Sequence, residues 1–282
     1  METDLKTNLD KLEKRQVSGV FMRQRHGQNF LIDLNIANNI VKAADLSAQD
    51  EVLEIGPGKG VLTKLIQPKV KHLTAVEIDA ELADALKKLF SDKNNIEIIN
   101  SDFLDFGTQS FQPFKAVSNL PYNVGTAVIQ KILPLPNWNI CIFMLQKEVA
   151  ARLAAKAGGK DYGYFSIFTQ YYADSKLLFD VSPSCFNPAP KVMSSVIKLV
   201  NKRPPEPPKD FFNLIKRCFS MRRKTILNSL ISFLNDKISA PPKLQALQIL
   251  QSCKIDQMQR PDKLTIEDFL NLACQTQLKI EN

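Results

Sequence analysis

The chain has no paired-cysteine spacing, no long apolar run and only two histidines, and each scarcity removes a class of function. Its five cysteines, Cys141, Cys185, Cys218, Cys253 and Cys274, are scattered, odd in number and never in C-x-x-C spacing. That argues against a disulfide scaffold and against a zinc site, so no metal is expected. No apolar stretch approaches the roughly 18 residues of a membrane span. The opening residues METDLKTNLDKLEKRQ are polar and charged, with neither an apolar signal region nor an Arg-rich, acid-poor transit pattern. Internal repeats are not apparent. A bacterial cytoplasm is therefore the expected location, with no membrane partner and a monomeric chain.

What is present is an ordinary globular composition with a basic bias. The 282 residues are 44% hydrophobic and 23% charged, enough for a substantial core plus a second small domain. A formal net charge of +8 and a pI near 9.1 favour a polyanionic partner such as RNA.

The first chemical signal is a strand, glycine turn and helix. Glu51–Ile55 (EVLEI) is a short apolar run that reads as a buried strand, followed at once by Gly56-Pro57-Gly58-Lys59-Gly60 and an amphipathic segment, Val61–Ile66. Such glycines let a backbone approach a ligand closely and leave amides at a helix N-terminus. The spacing G-x-G-x-G lacks the third glycine of the dinucleotide fingerprint, which disfavours nicotinamide cofactors. A second strand, Leu73–Val76, ends in Glu77-Ile78-Asp79. Glu77 thus stands about 20 residues past the turn, where a ribose diol is usually held. A third strand, Ile96–Ile99, ends at Asn100-Ser101-Asp102, and Asp102 could accept from an adenine amine. Each carboxylate taken singly reads equally well as a solvated loop residue.

The second signal is Asn119-Leu120-Pro121-Tyr122, at the end of a fourth strand, Lys115–Ser118. The exocyclic amine of adenine is a poor nucleophile because its lone pair is delocalised into the ring. An Asn oxygen and a backbone carbonyl ahead of a proline can accept from its two hydrogens and favour the tetrahedral form that methylation needs. Pro121 holds Leu120 extended and so directs its carbonyl. Tyr122 offers a flat face for a base taken out of its stack. Alone, the four residues more often mark a turn. Four strand ends in the order glycines, Glu77, Asp102, Asn119 are more specific, because they fall along the carboxyl edge of a doubly wound sheet, where ligands bind.

With GQNFL, EIGPGKG, VEID, SDFLDF and NLPYN stand FMLQKEVAARL (143–153), SPSCFNPAPKV (182–192) and SMRRKTILNSL (220–230). On these segments, from Gln28 to about Leu272, the chain resembles the bacterial small-subunit ribosomal RNA adenine dimethyltransferases, the KsgA family. The resemblance implies an α/β fold, a Rossmann-like class I methyltransferase sheet with a small C-terminal all-helical domain. It also implies S-adenosylmethionine as methyl donor. By similarity Asn29 and Leu31 contact this cofactor, Gly56 lies under its methionine part, Glu77 holds its ribose, Asp102 meets its adenine and Asn119 lies between donor and acceptor. Asn119, Leu120, Pro121, Tyr122 and Phe186 are the implied catalytic residues, Tyr122 and Phe186 forming the aromatic pair around the target base. The implied substrate is two adjacent adenosines in the 3′-terminal hairpin of 16S rRNA, each dimethylated within an immature small subunit. One departure is His26, where the family usually has Phe. The Leu of NLPY, FNPAPKV and RRKTILNSL favour this branch over the large-subunit methyltransferases of macrolide resistance. An adenine methyltransferase acting on DNA would carry Pro where Leu120 stands. A non-catalytic assembly factor on the same fold is the alternative of a different class.

Domain organisation is most legible at Arg203-Pro204-Pro205-Glu206-Pro207-Pro208, a stiff extended linker. Residues 1–26 read as a basic N-terminal segment, 27–202 as the methyltransferase domain and 209–282 as a helical RNA-binding domain. Ile140–Leu145 and Ser194–Val200 read as two further strands, the second being the last. Phe211–Phe219, Thr225–Leu234, Lys243–Gln251 and Ile266–Ala273 carry helical spacing. Lys11, Lys14, Arg15, Arg23 and Arg25 crowd the N-terminus. Arg222, Arg223 and Lys224 are expected to open a helix, a placement the helix dipole opposes unless an RNA phosphate sits there. Lys147, Arg152 and Lys191 are expected on the same face.

Overall fold

The computed structural model describes residues 29–107, 113–235 and 241–281. The basic residues Lys11 to Arg25 and His26 lie outside them. Among the described residues, seven strands form one sheet: β2 (Glu51–Ile55), β3 (His72–Glu77), β4 (Ile96–Asn100), β5 (Phe114–Asn119), β6 (Trp138–Gln146), β7 (Ala173–Val181) and β9 (Ser194–Asn201). Two short strands, β1 (Phe30–Leu31) and β8 (Phe186–Asn187), pair separately and antiparallel, Leu31 opposite Phe186.

The sheet order is β4-β3-β2-β5-β6-β9-β7. β2, β3, β4, β5 and β6 pair in parallel, while β9 runs antiparallel to both β6 and β7. The order reverses between β2 and β5, so their carboxyl ends diverge into the crevice where such sheets take ligands. β2 is central and covered on both faces, and its apolar run follows from that: Val52, Leu53 and Ile55 are all buried. A hydroxyl bond from Ser118 to the Ile55 carbonyl ties β5 to β2 just below the crevice.

The sequence supplies the helix starts. Asp33 caps α1 (Leu34–Ala43), accepting from Asn35 N at 2.8 Å and Ile36 N at 3.2 Å, which satisfies two of the amides a helix leaves open. Asp79 does the same for α3 (Ala80–Leu89). Between them α2 (Val61–Ile66) begins at Gly60, whose φ of 75° puts it in the left-handed region.

Three more helices cover the sheet or leave it: α4 (Gly125–Ile132), α5 (Lys147–Ala154) and α6 (Tyr164–Tyr172). The C-terminal helices are α7 (Phe211–Ser220), α8 (Ile226–Leu234), α9 (Pro242–Ser252) and α10 (Ile266–Glu281). Their core is not self-contained. Tyr162, Ile167 and Tyr171, from the segment before the linker, are buried with Phe211, Ile215 and Leu230. Seventy-odd residues make a thin core alone, and α6 completes it. Residues 202–208 have no regular structure, and Tyr171 bonds the Pro205 carbonyl through its hydroxyl at 2.7 Å.

β7 carries no strand signal in the sequence, because ADSKLLFDV, an edge strand, exposes polar residues without clean alternation. One expectation is corrected. Arg222, Arg223 and Lys224 do not open α8; they form the turn between α7 and α8, and Thr225 is the cap, its hydroxyl accepting from Asn228 N at 3.4 Å.

Candidate active site

At the end of β2 the chain turns through Gly56 and Gly58, both with positive φ (64° and 56°). Gly56 donates its amide to the Val76 carbonyl at 2.9 Å. A Cβ on Gly58 would lie 3.1 Å from the Phe30 ring, and its positive φ would strain any side chain there. The carboxyl ends of β2, β3, β4 and β5 and the β1 segment enclose a cavity of about 170 Å³.

Glu77 closes one wall. It is 2% exposed, and its two oxygens accept from Gly58 N at 2.9 Å and Asp79 N at 3.0 Å. Burial pushes its carboxyl above the ordinary range, and the two amides pull the other way. Beneath it Glu54, on β2, is 1% exposed and borders the same cavity, with no partner for Oε2. Burial raises this carboxyl to about 8, and the neighbouring Glu77 charge adds to the rise. A charged residue inside EVLEI was visible in the sequence, yet its buried position was not.

Asp102 follows β4 and borders the cavity with Ser101, Phe103 and Leu104. Its Oδ1 accepts from Leu104 N at 2.8 Å. The loop is gripped from α4 by Lys131, whose ammonium donates to the carbonyls of Phe103 (2.7 Å), Leu104 (2.7 Å) and Phe106 (2.5 Å).

Asn119 ends β5, and its Nδ2 donates to the Asn29 carbonyl at 3.3 Å. That bond assigns the amide orientation and leaves Oδ1 as an acceptor. Leu120 donates its amide to Met144 on β6 at 3.1 Å. The Pro121 carbonyl accepts from Gly125 N at 3.0 Å as α4 begins. Tyr122 is half-buried, and its hydroxyl lies 2.6 Å from Ser194 Oγ on β9; burial raises its phenol. The cavity thus collects Asn29, Leu31, Gly56, Glu77, Asp102 and Asn119 with Leu120, Pro121 and Tyr122.

Phe186 is the exception. It is 3% exposed, does not border the cavity, and sits in the apolar cluster under α1 with Leu31 and Val181. Antiparallel pairing with Leu31 turns it inward. Phe30 borders the cavity along with Phe103 and Tyr122, and Lys59 Nζ lies 4.9 Å above the Phe30 ring. Lys131 and Ser194 carry no signal that sequence alone would single out, whereas Phe30 lies within GQNFL.

The cations are unevenly available. Arg222 donates to the Lys160 carbonyl at 2.7 Å and to Gly159 at 3.4 Å. Arg223, Lys224 and Lys191 are exposed. Lys147 pairs with Asp180 at 2.7 Å, and Arg152 pairs with Glu148 one turn back; both pairs are solvated and weak. Among the described residues no cluster of three or more His, Cys, Asp or Glu could hold a metal, and no helix is long and apolar enough to cross a membrane.

Comparison with known proteins agrees with this arrangement. The family model for ribosomal RNA adenine dimethylase matches residues 20–274. A curated relative from Alkaliphilus metalliredigens (strain QYMF), named ribosomal RNA small subunit methyltransferase A, is 42% identical over 262 residues, covering 88% of this chain and 89% of its own. The crystal structure of a dimethyladenosine transferase from Plasmodium falciparum superposes with a TM-score of 0.76 at 28% identity, covering 89% of this chain and 98% of its own. That of the 23S rRNA methyltransferase ErmE gives 0.67 at 26%, covering 88% and 99%. The sheet is that of the class I methyltransferases. With nearly the whole chain matched and the strand ends arranged as described, this protein belongs to the ribosomal RNA adenine dimethylase family.

Proposed function

We propose that this enzyme dimethylates the exocyclic amines of two adjacent adenosines in the 3′-terminal hairpin of 16S rRNA, in the cytoplasm and on an immature small subunit. The observation that carries the reading is that Asn119 and Tyr122 open onto the same cavity as Glu77 and the glycine turn. An acceptor for an amine and a nucleoside-sized cradle share one space. The residues fit S-adenosylmethionine. Gly56 gives close backbone approach, Glu77 offers a carboxylate for a ribose diol, Asp102 an acceptor for an adenine amine, and the buried Glu54 Oε2 lacks a partner. When bound, that cofactor supplies an activated sulfonium methyl, so no covalent enzyme intermediate is required.

The protein's own part is positioning and electrostatics. Asn119 Oδ1 and the Leu120 carbonyl accept from the two amine hydrogens and localise the nitrogen lone pair. Tyr122, fixed by Ser194, supplies a face for the base. No strong general base is needed, because the amine becomes acidic only as its new bond forms. The helical region after the linker and the exposed Arg223, Lys224 and Lys191 are assigned to the RNA backbone. The chain acts as a monomer.

The test is transfer of labelled methyl from S-adenosylmethionine to undermethylated small subunits and, in parallel, to large-subunit RNA, with mass spectrometry of the nucleosides. Dimethyladenosine confined to small-subunit RNA is the expected result. Label in large-subunit RNA moves the enzyme to the branch of the 23S methyltransferases. No transfer to either overturns the catalytic reading.

A further inference from the structure

Three carbonyls of one loop converge on a single ammonium group. Phe103, Leu104 and Phe106 present their oxygens to Lys131 Nζ at 2.7, 2.7 and 2.5 Å. An ammonium has three N–H donors and no acceptor, so the match in number is complete. Lys131 also lies 5.1 Å from the Phe103 ring centroid, adding a cation–π contact. Half-buried, it stands in the last turn of α4, where a cation is ordinarily explained by the helix's own carbonyls. Here its acceptors belong to a different element, 25 to 28 residues earlier in the chain.

The loop it holds matters. Asp102 immediately precedes these carbonyls, and Asp102, Phe103 and Leu104 all border the cavity. α4 in turn begins at Gly125, whose amide bonds the Pro121 carbonyl. One short helix therefore joins the Asn119–Tyr122 turn at its start to the Asp102 loop near its end.

The geometry points to Lys131 as a positioning residue that fixes the Asp102 loop for recognition of the cofactor's adenine amine, an inference that rests on the proposed role of Asp102. Arginine cannot substitute. Its planar fork spreads donors outward, whereas the three carbonyls meet at a point. Methionine keeps the stem and leaves three carbonyls without their donor.

The test is calorimetric titration of the full chain with S-adenosylhomocysteine and with S-inosylhomocysteine, in which the adenine amine is replaced by a carbonyl. Both ligands bind the same folded fraction, so the ratio of their affinities is insensitive to partial unfolding. The wild-type protein should prefer the amine-bearing ligand by about tenfold or more, the value of a hydrogen bond to a charged group. Lys131→Met should bring that ratio close to one, and Lys131→Arg should not restore it. A Lys131→Met ratio equal to wild type, even with both affinities reduced, would leave Lys131 a structural residue and overturn the inference. A wild-type protein that binds both ligands equally would instead overturn the role of Asp102, and with it the role of Lys131.

Discussion

The Tyr122 hydroxyl and Ser194 Oγ lie 2.6 Å apart, joining the turn after β5 to the first residue of β9. Ser194 is fully buried, and the two residues are 72 apart in sequence. A flat side chain serves as a stacking surface only if its tilt is fixed, and this bond fixes it from the far end of the ring. Ser194→Ala and Tyr122→Phe should each lower methyl transfer by about threefold to tenfold and stability by about 1 kcal/mol. The double substitution should do little more than either alone, because both remove one interaction. Additive losses in single-turnover rate would mean that the bond does not set the ring.

Asn119→Ala removes the side-chain acceptor while leaving the glycine turn, Glu77 and Asp102 in place. The expected result is a fall in kcat of about a hundredfold or more, the usual loss for a preorganised group acting on developing charge. Affinity for S-adenosylhomocysteine should stay within about threefold of wild type. Near-normal turnover would remove Asn119 from the chemistry.

Glu77 should divide the other way. Its carboxylate already spans Gly58 and Asp79, so Glu77→Ala loses both the proposed ribose contact and the brace of the turn. Cofactor binding should weaken by about a hundredfold, given roughly 1.5–3 kcal/mol for each hydrogen bond to a charged group. Because burial holds the Glu77 carboxyl above its ordinary value, affinity should decline with acidification at a higher pH than an exposed carboxylate would give. Titrations of cofactor affinity from pH 4 to 8 check this, and a flat profile would remove the carboxylate from binding.

Much of this site could be read from the sequence, because each piece sits at a strand end marked by composition. The apolar runs inside β2, β3 and β5 are buried, so their lengths and ends are visible, and Glu77 and Asn119 are the last residues of β3 and β5. What could not be read depends on contacts across the chain. β7 lies at an edge and shows no buried periodicity. Phe186 is the apolar first residue of FNPAP, yet which way it faces is decided by its pairing with Leu31. Lys131 looks like any surface lysine until the loop 25 to 28 residues upstream folds over it.

Glu54 gives a stability prediction with a definite sign. Its carboxyl is raised from 4.5 to about 8 in the folded protein. Between those values the folded state keeps a proton that the unfolded state has released, so stability falls as pH rises, by at most about 1.4 kcal/mol per pH unit. Glu54→Gln abolishes this dependence. The melting temperature of the variant relative to wild type should therefore climb from pH 5 to pH 8 and level off above it. A constant difference across that range would show that Glu54 ionises normally.

The basic turn between α7 and α8 separates into two roles that a salt titration can tell apart. Arg222 is engaged with the Gly159 and Lys160 carbonyls, across to the loop before α6, whereas Arg223 and Lys224 are exposed. If the exposed pair contacts phosphates, each neutralises one and releases its counterion. The slope of log affinity for small-subunit particles against log salt should then lose about one unit per residue in Arg223→Gln and Lys224→Gln. Arg222→Ala should change that slope less and lower the melting temperature more, since it deprives two carbonyls of their donor. Equal slopes in wild type and the Arg223→Gln, Lys224→Gln double variant would place the RNA backbone elsewhere on the protein.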